Sequence, residues 1–454
     1  AAIAGVRRRM ERREVNPLYL PRLIAVMGNR RIRKAAREAL IAAREGAIPA
    51  LELFMTSEDE DIRVRRAVPR TLARIGSVSA ADALSEHMEV GDLWLRSEVF
   101  AGLGSLRRRA AGINVTRRRI ALALEVEIRE YRELRGYLDT LASEPDLASS
   151  PMADMLRSRL VALADNAFLL LELVLRPTDV HAARRGVRSG SVDQRAKAVE
   201  FLENALEGRI RKAVMSLVTV AEAEPGSRID ARTTVDAVID RLVGCDLTRD
   251  PSQVGLVCTA MHAAVRRRRV FARERIRTLH DDEESPERVR DTARWALARL
   301  EPETAPLGAV EEVSVTALAT IEIMSFLQQV DLFGFLGAEE TLRLAAVASE
   351  RRVPSGEVIF RRDEPSDVLY CVVDGRVRLE GLPTGDTEVG PEGRFGVLDI
   401  LSGRRRQATA TAVEDTRLVA IEAEDFFDVL ADDIGIVRAL FHKVVEMAEG
   451  NGLV

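Results

Sequence analysis

The sequence predicts an α+β multidomain protein, in which an α-solenoid of stacked helix pairs is followed by a β-roll with flanking helices. Two observations on the 454-residue chain predict this class. Apolar residues recur with helical spacing through the first two thirds, and after residue 354 their spacing drops toward two, between turn residues. The aromatic content of 4% fits cores of alanine, leucine and valine, which suit helix-on-helix packing.

The helical part repeats a template of six largely apolar positions on one helix face. The first copy is Ile32, Ala35, Ala36, Ala39, Leu40 and Ala43, and the second is Val64, Ala67, Val68, Thr71, Leu72 and Ile75. The offset is 32 residues, since 64 − 32 = 32, and further copies begin near residues 99, 198 and 289. A helix pair with one apolar stripe cannot bury that stripe alone, so the stacking of successive pairs predicts an α-solenoid.

Short polar turns precede several of these helices, as at residues 59–63 (DEDIR) and 191–195 (SVDQR). Acidic and hydroxyl side chains in these turns are expected to cap the helix that follows. The pattern resembles that of HEAT repeats, and this resemblance implies a scaffold that presents a surface to a protein partner. Residues 116–151 fit the template poorly, and we expect them to be irregular.

The last third changes to short strands. Aliphatic runs occur at residues 358–360, 369–373, 377–379 and 418–421, and alanine alternates with threonine over 408–412. Asp374-Gly375 lies between two of these runs and predicts a β-hairpin, because such a turn needs a residue with positive φ. Helices are expected at residues 310–329, 425–430 and 437–448.

The predicted organisation has three parts. A HEAT-like α-solenoid occupies residues 1–305, a connecting helix occupies residues 306–329, and a β-roll domain occupies residues 330–454.

Glycines at fixed spacing in the last third carry a resemblance to a known family. They occur in Gly356-Glu-Val-Ile-Phe360, in Val373-Asp-Gly375-Arg-Val377 and in Phe395-Gly396, and Arg406-Gln-Ala-Thr409 follows. Residues 330–448 resemble cyclic-nucleotide-binding domains of the catabolite-activator type. With the HEAT-like part included, nearly the whole chain resembles the soluble C-terminal region of bacterial nucleotide-translocase-like or major-facilitator-like transporters.

This resemblance implies a ligand pocket lined by seven residues. They are Gly396, Val397, Leu398, Arg406, Gln407, Ala408 and Thr409. Arg406 is at the position of the arginine that binds the cyclic phosphate, and a guanidinium group binds phosphate bidentately. Gly396 would allow the backbone to approach that phosphate closely.

Three departures from the family pattern alter the expected pocket. Val397 stands where binding members carry a glutamate that accepts the ribose 2′-hydroxyl, and a buried hydroxyl without a partner costs about 1–3 kcal/mol. Arg405 replaces a proline and Asp363 replaces a turn glycine. Asp399 is expected to face another direction of the helix. The sequence gives no certain cofactor: cAMP or cGMP, another anion, and no ligand at all remain alternatives, the last with the roll as a protein-interaction surface.

No constellation in the sequence supports an enzyme. The chain has no glycine-rich Walker loop, nucleophile elbow or catalytic carboxylate pair, and its five histidines and three cysteines lack metal-ligand spacing. The net charge of −5 gives no general attraction to nucleic acid. No apolar run reaches the roughly 18 residues that a bilayer-spanning helix needs.

Four runs of arginine are either solvated helix faces or surfaces for acidic lipid headgroups or an acidic partner. They lie at residues 7–9, 107–109, 117–119 and 266–269. A membrane protein or an anionic membrane surface is therefore an expected partner, whereas nucleic acid is not.

The sequence thus predicts a non-enzymatic regulatory module, with a solenoid for partner binding and a degenerate cyclic-nucleotide-binding-like domain. We expect it in the cytoplasm or at the cytoplasmic face of a membrane, as part of a transporter. The chain begins with Ala1 rather than methionine, which we interpret as a piece of a longer protein. The alternative is a stand-alone cytosolic sensor that still binds cAMP or cGMP.

Overall fold

The computed structural model describes residues 17–109, 113–189, 191–222, 234–300, 320–334, 336–382 and 385–430. Within them the chain is mostly helical, and an antiparallel β domain forms the last described part. Up to residue 300 the helices are α1 (Leu20–Ala25), α2 (Arg30–Ala42), α3 (Ile48–Thr56), α4 (Ile62–Ile75), α5 (Val78–Glu86), α6 (Leu93–Arg109), α7 (Arg117–Ala142), α8 (Pro145–Ala148), α9 (Pro151–Leu171), α10 (Pro177–Val187), α11 (Val192–Ala205), α12 (Gly208–Glu222), α13 (Val235–Val243), α14 (Val254–Arg266), α15 (Arg273–Asp281) and α16 (Glu287–Leu300).

Helices α17 (Thr320–Leu327) and α18 (Ala338–Ala345) precede the strands. The predicted connecting helix over residues 310–329 is therefore described only in its second half. Its first half and the predicted helix over residues 437–448 lie outside the described residues.

The apolar template predicted from the sequence is buried only in part, since Ala35 and Phe201 are exposed. Val64, Val68 and Leu72 of α4 are all in the core, and so are Ala36 and Leu40 of α2. Helices α3, α4 and α6 pack in succession, as do α10 with α11 and α15 with α16. Stacked repeats require packing between neighbouring helices. That these helices form a solenoid stays a prediction.

The chain divides into two compact units. The first comprises Ala1–Ala148, Arg159–Val235 and Asp246–Gln253, and the second comprises Ser149–Ser158, Asp236–Cys245 and Val254–Val454. The described β domain therefore belongs wholly to the second unit. The boundaries near residues 305 and 329 stay predictions.

The polar turns cap helices in the predicted way. Asp61 Oδ1 accepts a hydrogen bond from the backbone N–H of Arg63 at 2.8 Å, at the start of α4. Ser77 caps α5 in the same manner, since its Oγ accepts from the backbone N–H of Ala80 at 3.2 Å. Such caps satisfy backbone donors that the first helical turn leaves without partners.

The prediction that residues 116–151 are irregular is wrong. This segment contains α7, a regular helix of 26 residues. Thr116 caps its start, and Ile120, Leu124, Ile128 and Tyr131 are buried along it with the spacing of one helix face. The segment escaped the repeat template because a single helix here takes most of the length that a helix pair takes elsewhere.

None of the described helices is both long enough and apolar enough to cross a membrane. The 21-residue helix α9 has sufficient length, but charged residues interrupt its apolar sequence.

The β domain is built from two four-stranded antiparallel sheets. One has the strand order β1-β8-β3-β6 and the other β2-β7-β4-β5. The strands are β1 (Ser349–Val353), β2 (Val358–Phe360), β3 (Val368–Asp374), β4 (Val377–Glu380), β5 (Thr387–Val389), β6 (Arg394–Phe395), β7 (Thr409–Ala412) and β8 (Thr416–Glu422). Helix α19 (Val397–Ser402) lies between β6 and β7, and α20 (Ala423–Leu430) follows β8.

The core between the two sheets combines aromatic and small side chains. Phe360, Tyr370 and Phe395 form a cluster of rings, with centroids 5.2–6.1 Å apart. Ala410 and Ala412 of β7 are buried in the same core, while Thr409 and Thr411, which alternate with them, are half-buried. The alternation of alanine and threonine in the sequence therefore corresponds to inward and outward positions of one strand.

The predicted hairpin at Asp374-Gly375 is wrong, although the turn itself is present. Gly375 adopts a φ of 87°, as the sequence required. However, β3 and β4 lie in different sheets, so the turn carries the chain from one sheet to the other. A tight turn fixes local geometry, but it does not decide which strands pair.

Replacing Gly375 by alanine is expected to lower the free energy of unfolding by roughly 2–3 kcal/mol. The new Cβ would be in the left-handed region and only 2.6 Å from Thr416 Oγ1 and 2.7 Å from the Asp415 carbonyl oxygen. Gly356→Ala is the matched control, because φ is 83° there and no atom lies within 4 Å of the added Cβ. Denaturant titration should give about 1 kcal/mol for that control, and equal losses would contradict the steric argument.

Candidate ligand site of the β domain

The candidate site is at the start of α19, where the chain leaves β6. Gly396 precedes this helix with a φ of 80°. A Cβ at this residue would lie 2.4 Å from Arg406 Nη1 and 3.2 Å from the Val368 carbonyl oxygen. Only glycine meets both requirements, because it tolerates the left-handed conformation and leaves room for the arginine.

Arg406 reaches this glycine from the segment before β7, and its side chain is in the interior. It is only 2% exposed. Nη2 donates a hydrogen bond to the Val368 carbonyl oxygen at 2.6 Å, and Nη1 donates to the Gly396 carbonyl oxygen at 3.4 Å. The guanidinium carbon lies 4.1 Å from the centre of the Phe360 ring, a cation–π distance. Within the described part of the chain, the buried Nε of Arg406 has no hydrogen-bond partner.

Two opposing influences act on the charge of Arg406. Burial lowers its pKa, and the charges of Tyr370, Asp399 and two further carboxylates oppose that shift. A guanidinium group keeps its proton in proteins. The site therefore holds a buried positive charge that two neutral carbonyl groups and one aromatic ring solvate.

Asp399 interacts with Arg406 and Gln407, and its predicted direction relative to Val397 stays a prediction. Its carboxyl group is buried and accepts hydrogen bonds from the backbone and side chain of Gln407. Burial raises its pKa, and the charge of Arg406 is the largest opposing effect. The chain turns back after α19 at Gly403, with φ 64°, and this return brings the arginine segment to the carboxyl group. The residues near Asp399 in the sequence do not indicate that the chain reverses after Gly403 and brings Gln407 to this carboxyl group.

The other predicted pocket residues divide into inner and outer positions. Val397 is buried, at 4% exposure, whereas Leu398 is 42% exposed. Ala408 is buried, and Thr409 Oγ1 accepts a hydrogen bond from the backbone N–H of Arg362 at 3.1 Å. The structure thus brings Gly396 and Arg406 together and leaves Leu398 at the surface.

The segment containing Asp363 pairs with the arginine segment through its backbone. Asp363 N–H donates to the Arg406 carbonyl oxygen at 2.9 Å, and the Arg406 N–H donates to the Glu364 carbonyl oxygen at 3.0 Å. Asp363 has a φ of 67°, in the left-handed region that favours glycine. Arg405 is exposed and donates to the Asp363 carbonyl oxygen at 2.7 Å. Both positions where the sequence departs from the family pattern therefore take part in backbone hydrogen bonds beside the site.

A comparison with protein families identifies this part of the chain. Residues 350–433 match the family model described as the cyclic nucleotide-binding domain. This segment is a cyclic nucleotide-binding domain. It contains the whole site, from Asp363 to Thr409.

Curated relatives resemble this chain over about a fifth of its length. A cyclic nucleotide-gated potassium channel of Rhizobium etli is 34% identical over 97 residues, which are 21% of this chain and 27% of the channel. The cyclic AMP receptor protein of Thermus thermophilus is 36% identical over 100 residues, 21% of this chain and 46% of the receptor. The cAMP-dependent protein kinase regulatory subunit of Dictyostelium discoideum is 31% identical over 22% of this chain and 33% of the subunit. The chain therefore spans less than half of each of these relatives.

Two solved structures each match 28% of this chain. The sensor domain of the transcriptional regulator DNR from Pseudomonas aeruginosa is 22% identical, covers 28% of this chain and 89% of its own, and has a TM-score of 0.26. The regulatory domain of Toxoplasma gondii PKA, solved with cAMP, is 21% identical, covers 28% of this chain and 50% of its own, and has a TM-score of 0.25.

The two glycines that flank α19 allow a direct test of the site geometry. Gly396→Ala is expected to lower the free energy of unfolding by about 2 kcal/mol, because the new Cβ displaces the Arg406 guanidinium from its carbonyl partners. Gly403→Ala is the control, since φ is also positive there but no atom lies within 4 Å of the added Cβ. The control should cost about half as much in denaturant titration. Identical losses in the two variants would show that the position of the Arg406 guanidinium group does not depend on the absence of a side chain at position 396.

Proposed function

We propose that this chain is a non-enzymatic regulatory module whose cyclic nucleotide-binding domain is degenerate. The domain retains the phosphate half of a nucleotide pocket and lacks the ribose half, so it binds cAMP and cGMP weakly. The helical part is a HEAT-like α-solenoid that binds a protein partner. The observation that carries the proposal is the contact of buried Arg406 with Gly396, beside a buried valine at position 397.

The phosphate half rests on the arrangement of Arg406. Its guanidinium group now donates to two neutral carbonyl groups, and its Nε–H is unsatisfied within the described residues. Anionic oxygens accept stronger hydrogen bonds from guanidinium than neutral carbonyls do. An entering phosphate would therefore gain by replacing the Val368 and Gly396 carbonyl oxygens, but it must first displace these internal hydrogen bonds.

The ribose half has no acceptor at Val397. A ribose hydroxyl that is buried against this side chain loses its hydrogen bonds to water without gaining another, at a cost of about 1–3 kcal/mol. This penalty corresponds to roughly one or two decades of affinity. The charge of Asp399 does not substitute for the missing acceptor, because Gln407 already donates to that carboxyl group.

Isothermal titration calorimetry tests this proposal. Full-length chain and an Arg406→Ala variant would be titrated with cAMP, cGMP, ATP and ADP. We expect wild-type dissociation constants for the cyclic nucleotides well above the micromolar range. Micromolar binding of cAMP that the Arg406→Ala variant loses would overturn the degenerate pocket.

The second candidate is a stand-alone cyclic-nucleotide sensor. Identity of 36% to a cyclic AMP receptor protein and 34% to a cyclic nucleotide-gated channel favours it. The same titration separates the two candidates, because a sensor needs micromolar affinity for at least one cyclic nucleotide.

We further propose that the helical part acts at the cytoplasmic face of a membrane, as the cytoplasmic part of a transporter. The packing of successive helix pairs and the potassium channels among the relatives support this placement. Membrane fractionation of the native full-length protein tests it. Recovery only in the soluble fraction would contradict it.

A further inference from the structure

One arginine run differs from the others in what surrounds it. Residues 266–277 contain seven arginines and a single glutamate. Within this segment, Val270 is 60% exposed and Phe271 is 45% exposed. The two apolar side chains follow directly after the four arginines 266–269, in a short 3₁₀ turn (Val270–Ala272) between α14 and α15. We call residues 266–271 the basic–apolar turn.

In the other described arginine runs, some members pair with carboxylates or donate to carbonyl groups of their own unit. Arg108 pairs with Glu172 at 2.7 Å, and Arg107 donates to the Glu172 carbonyl oxygen. Arg117 pairs with Glu207 at 3.4 Å. The predicted run at residues 7–9 lies outside the described residues. The basic–apolar turn is therefore the described run that adds two exposed apolar side chains to its charge.

Three arginines of the segment pair with carboxylates, and two others are exposed in the turn. Arg269 pairs with Asp236 at 2.9 Å, Arg275 with Asp240 at 3.1 Å, and Arg277 with Glu274 at 3.3 Å. Arg266 and Arg268 are exposed in the turn itself.

The backbone holds this turn in a defined conformation. Arg269 N–H donates to the Ala264 carbonyl oxygen and Arg268 N–H donates to the Val265 carbonyl oxygen, both at 2.9 Å. This pair of hydrogen bonds is the Schellman motif that ends many helices. Its left-handed residue is usually glycine, whereas here Arg268 adopts φ 52°. A charged side chain therefore occupies a position where the backbone favours glycine.

We propose that the basic–apolar turn binds an anionic lipid bilayer surface. Arginine clusters are attracted to anionic headgroups, and exposed valine and phenylalanine side chains gain by entering the boundary between headgroups and acyl chains. Electrostatic attraction and burial of apolar side chains therefore act at the same turn. An acidic protein surface would satisfy the arginines but would leave Val270 and Phe271 without a partner.

Vesicle co-sedimentation tests this inference. The full chain would be mixed with vesicles of phosphatidylcholine alone or with about 30% phosphatidylserine, at low and high salt. We expect binding only to the phosphatidylserine vesicles, and weaker binding at high salt. Arg266→Gln with Arg268→Gln should weaken the binding about fivefold for each arginine. Val270→Ser with Phe271→Ser should weaken it roughly tenfold.

The controls separate surface binding from folding and from net charge. Arg117→Gln with Arg119→Gln removes the same charge from a run that lacks exposed apolar neighbours, and it should leave vesicle binding unchanged. Arg268→Gly should keep the thermal midpoint, because glycine suits the left-handed position, and should still weaken binding about fivefold. Absence of wild-type binding to anionic vesicles, or equal loss in the Arg117/Arg119 variant, would overturn the proposal. The first of these results would favour an acidic protein partner.

Discussion

Replacing Arg96 by methionine is expected to lower the free energy of unfolding of the first unit by about 3–5 kcal/mol. Arg96 Nε donates to Glu127 Oε1 at 2.5 Å and Nη2 donates to Glu130 Oε2 at 2.6 Å. Its Nη1 also donates to the carbonyl oxygens of Val90 and Gly91. Removing Arg96 leaves the buried carboxylate of Glu127 without its counter-charge, whereas Glu130 keeps its pair with Arg159. Such a loss costs far more than the pair contributes relative to an apolar replacement.

The loss should also depend on pH. Burial raises the pKa of Glu127 to about 7, and the charge of Arg96 is the largest opposing effect. Without Arg96 the pKa of Glu127 rises further above its unfolded value. The folded variant then binds this proton more tightly than the unfolded chain, so its stability falls as pH increases through that range. We expect a smaller deficit near about pH 5.5 than near about pH 8.5.

Tryptophan fluorescence in denaturant provides the measurement. Trp94 lies in the first unit and Trp295 in the second, so a Trp295→Phe background lets the emission report on the first unit alone. Arg63→Met is the control. Arg63 pairs with Asp61 at 2.7 Å but is largely exposed, and exposed pairs contribute less than about 1 kcal/mol. Similar losses in both variants would contradict a special role for the buried arginine.

The buried polar cluster around Arg96 could not have been predicted from the sequence. Glu127 and Arg159 lie on helices whose apolar faces dominate the pattern, so a charged residue on them appears as an ordinary solvated position. Arg159 in fact contacts Glu130, Asp250 and Ser252, with Asp250 91 residues away in the chain. Burial of a charge depends on the partners that the fold supplies, and apolar periodicity does not contain this information.

Short sequence patterns, such as a glycine in a turn, predicted local backbone conformation well. They did not predict contacts between residues that are far apart in the chain. Glycine at position 375 indicated positive φ, and this residue adopts it. The same signals failed where distant pairing decides the result. The Asp374-Gly375 turn joins two sheets, and the carboxyl group of Asp399 meets Gln407 because the chain returns after Gly403.

For the candidate site, the resemblance implied seven pocket residues, and their role as a ligand pocket stays a prediction. Gly396 and Arg406 are in contact. The arginine is nevertheless directed inward, against the Phe360 ring and the Val368 carbonyl oxygen. These partners belong to β2 and β3, and no spacing near Arg406 indicates them. The internal hydrogen bonds give Arg406 a structural role in addition to the ligand role that the proposal assigns to it.

Replacing Val397 by glutamate is expected to raise the affinity of the chain for cAMP by about 10–100-fold. The substitution places a carboxylate beside Gly396, where it can accept the ribose 2′-hydroxyl and recover about 1–3 kcal/mol. Val397 is buried next to the positively charged Arg406 site, so the new carboxylate has a nearby counter-charge. Calorimetry with cAMP measures the change.

Leu398→Glu is the matched control, because it adds the same charge one residue later at an exposed position of α19. Its cAMP affinity should remain within about threefold of wild type, since an exposed charge near the site acts only through screened electrostatics. Equal gains in the two variants would mean that added charge, and not a ribose acceptor, limits binding. A folded Val397→Glu variant with unchanged affinity would mean that the ribose half is not what the pocket lacks. The internal hydrogen bonds of Arg406 would then be the cause of weak binding, because a phosphate must break them before it can bind.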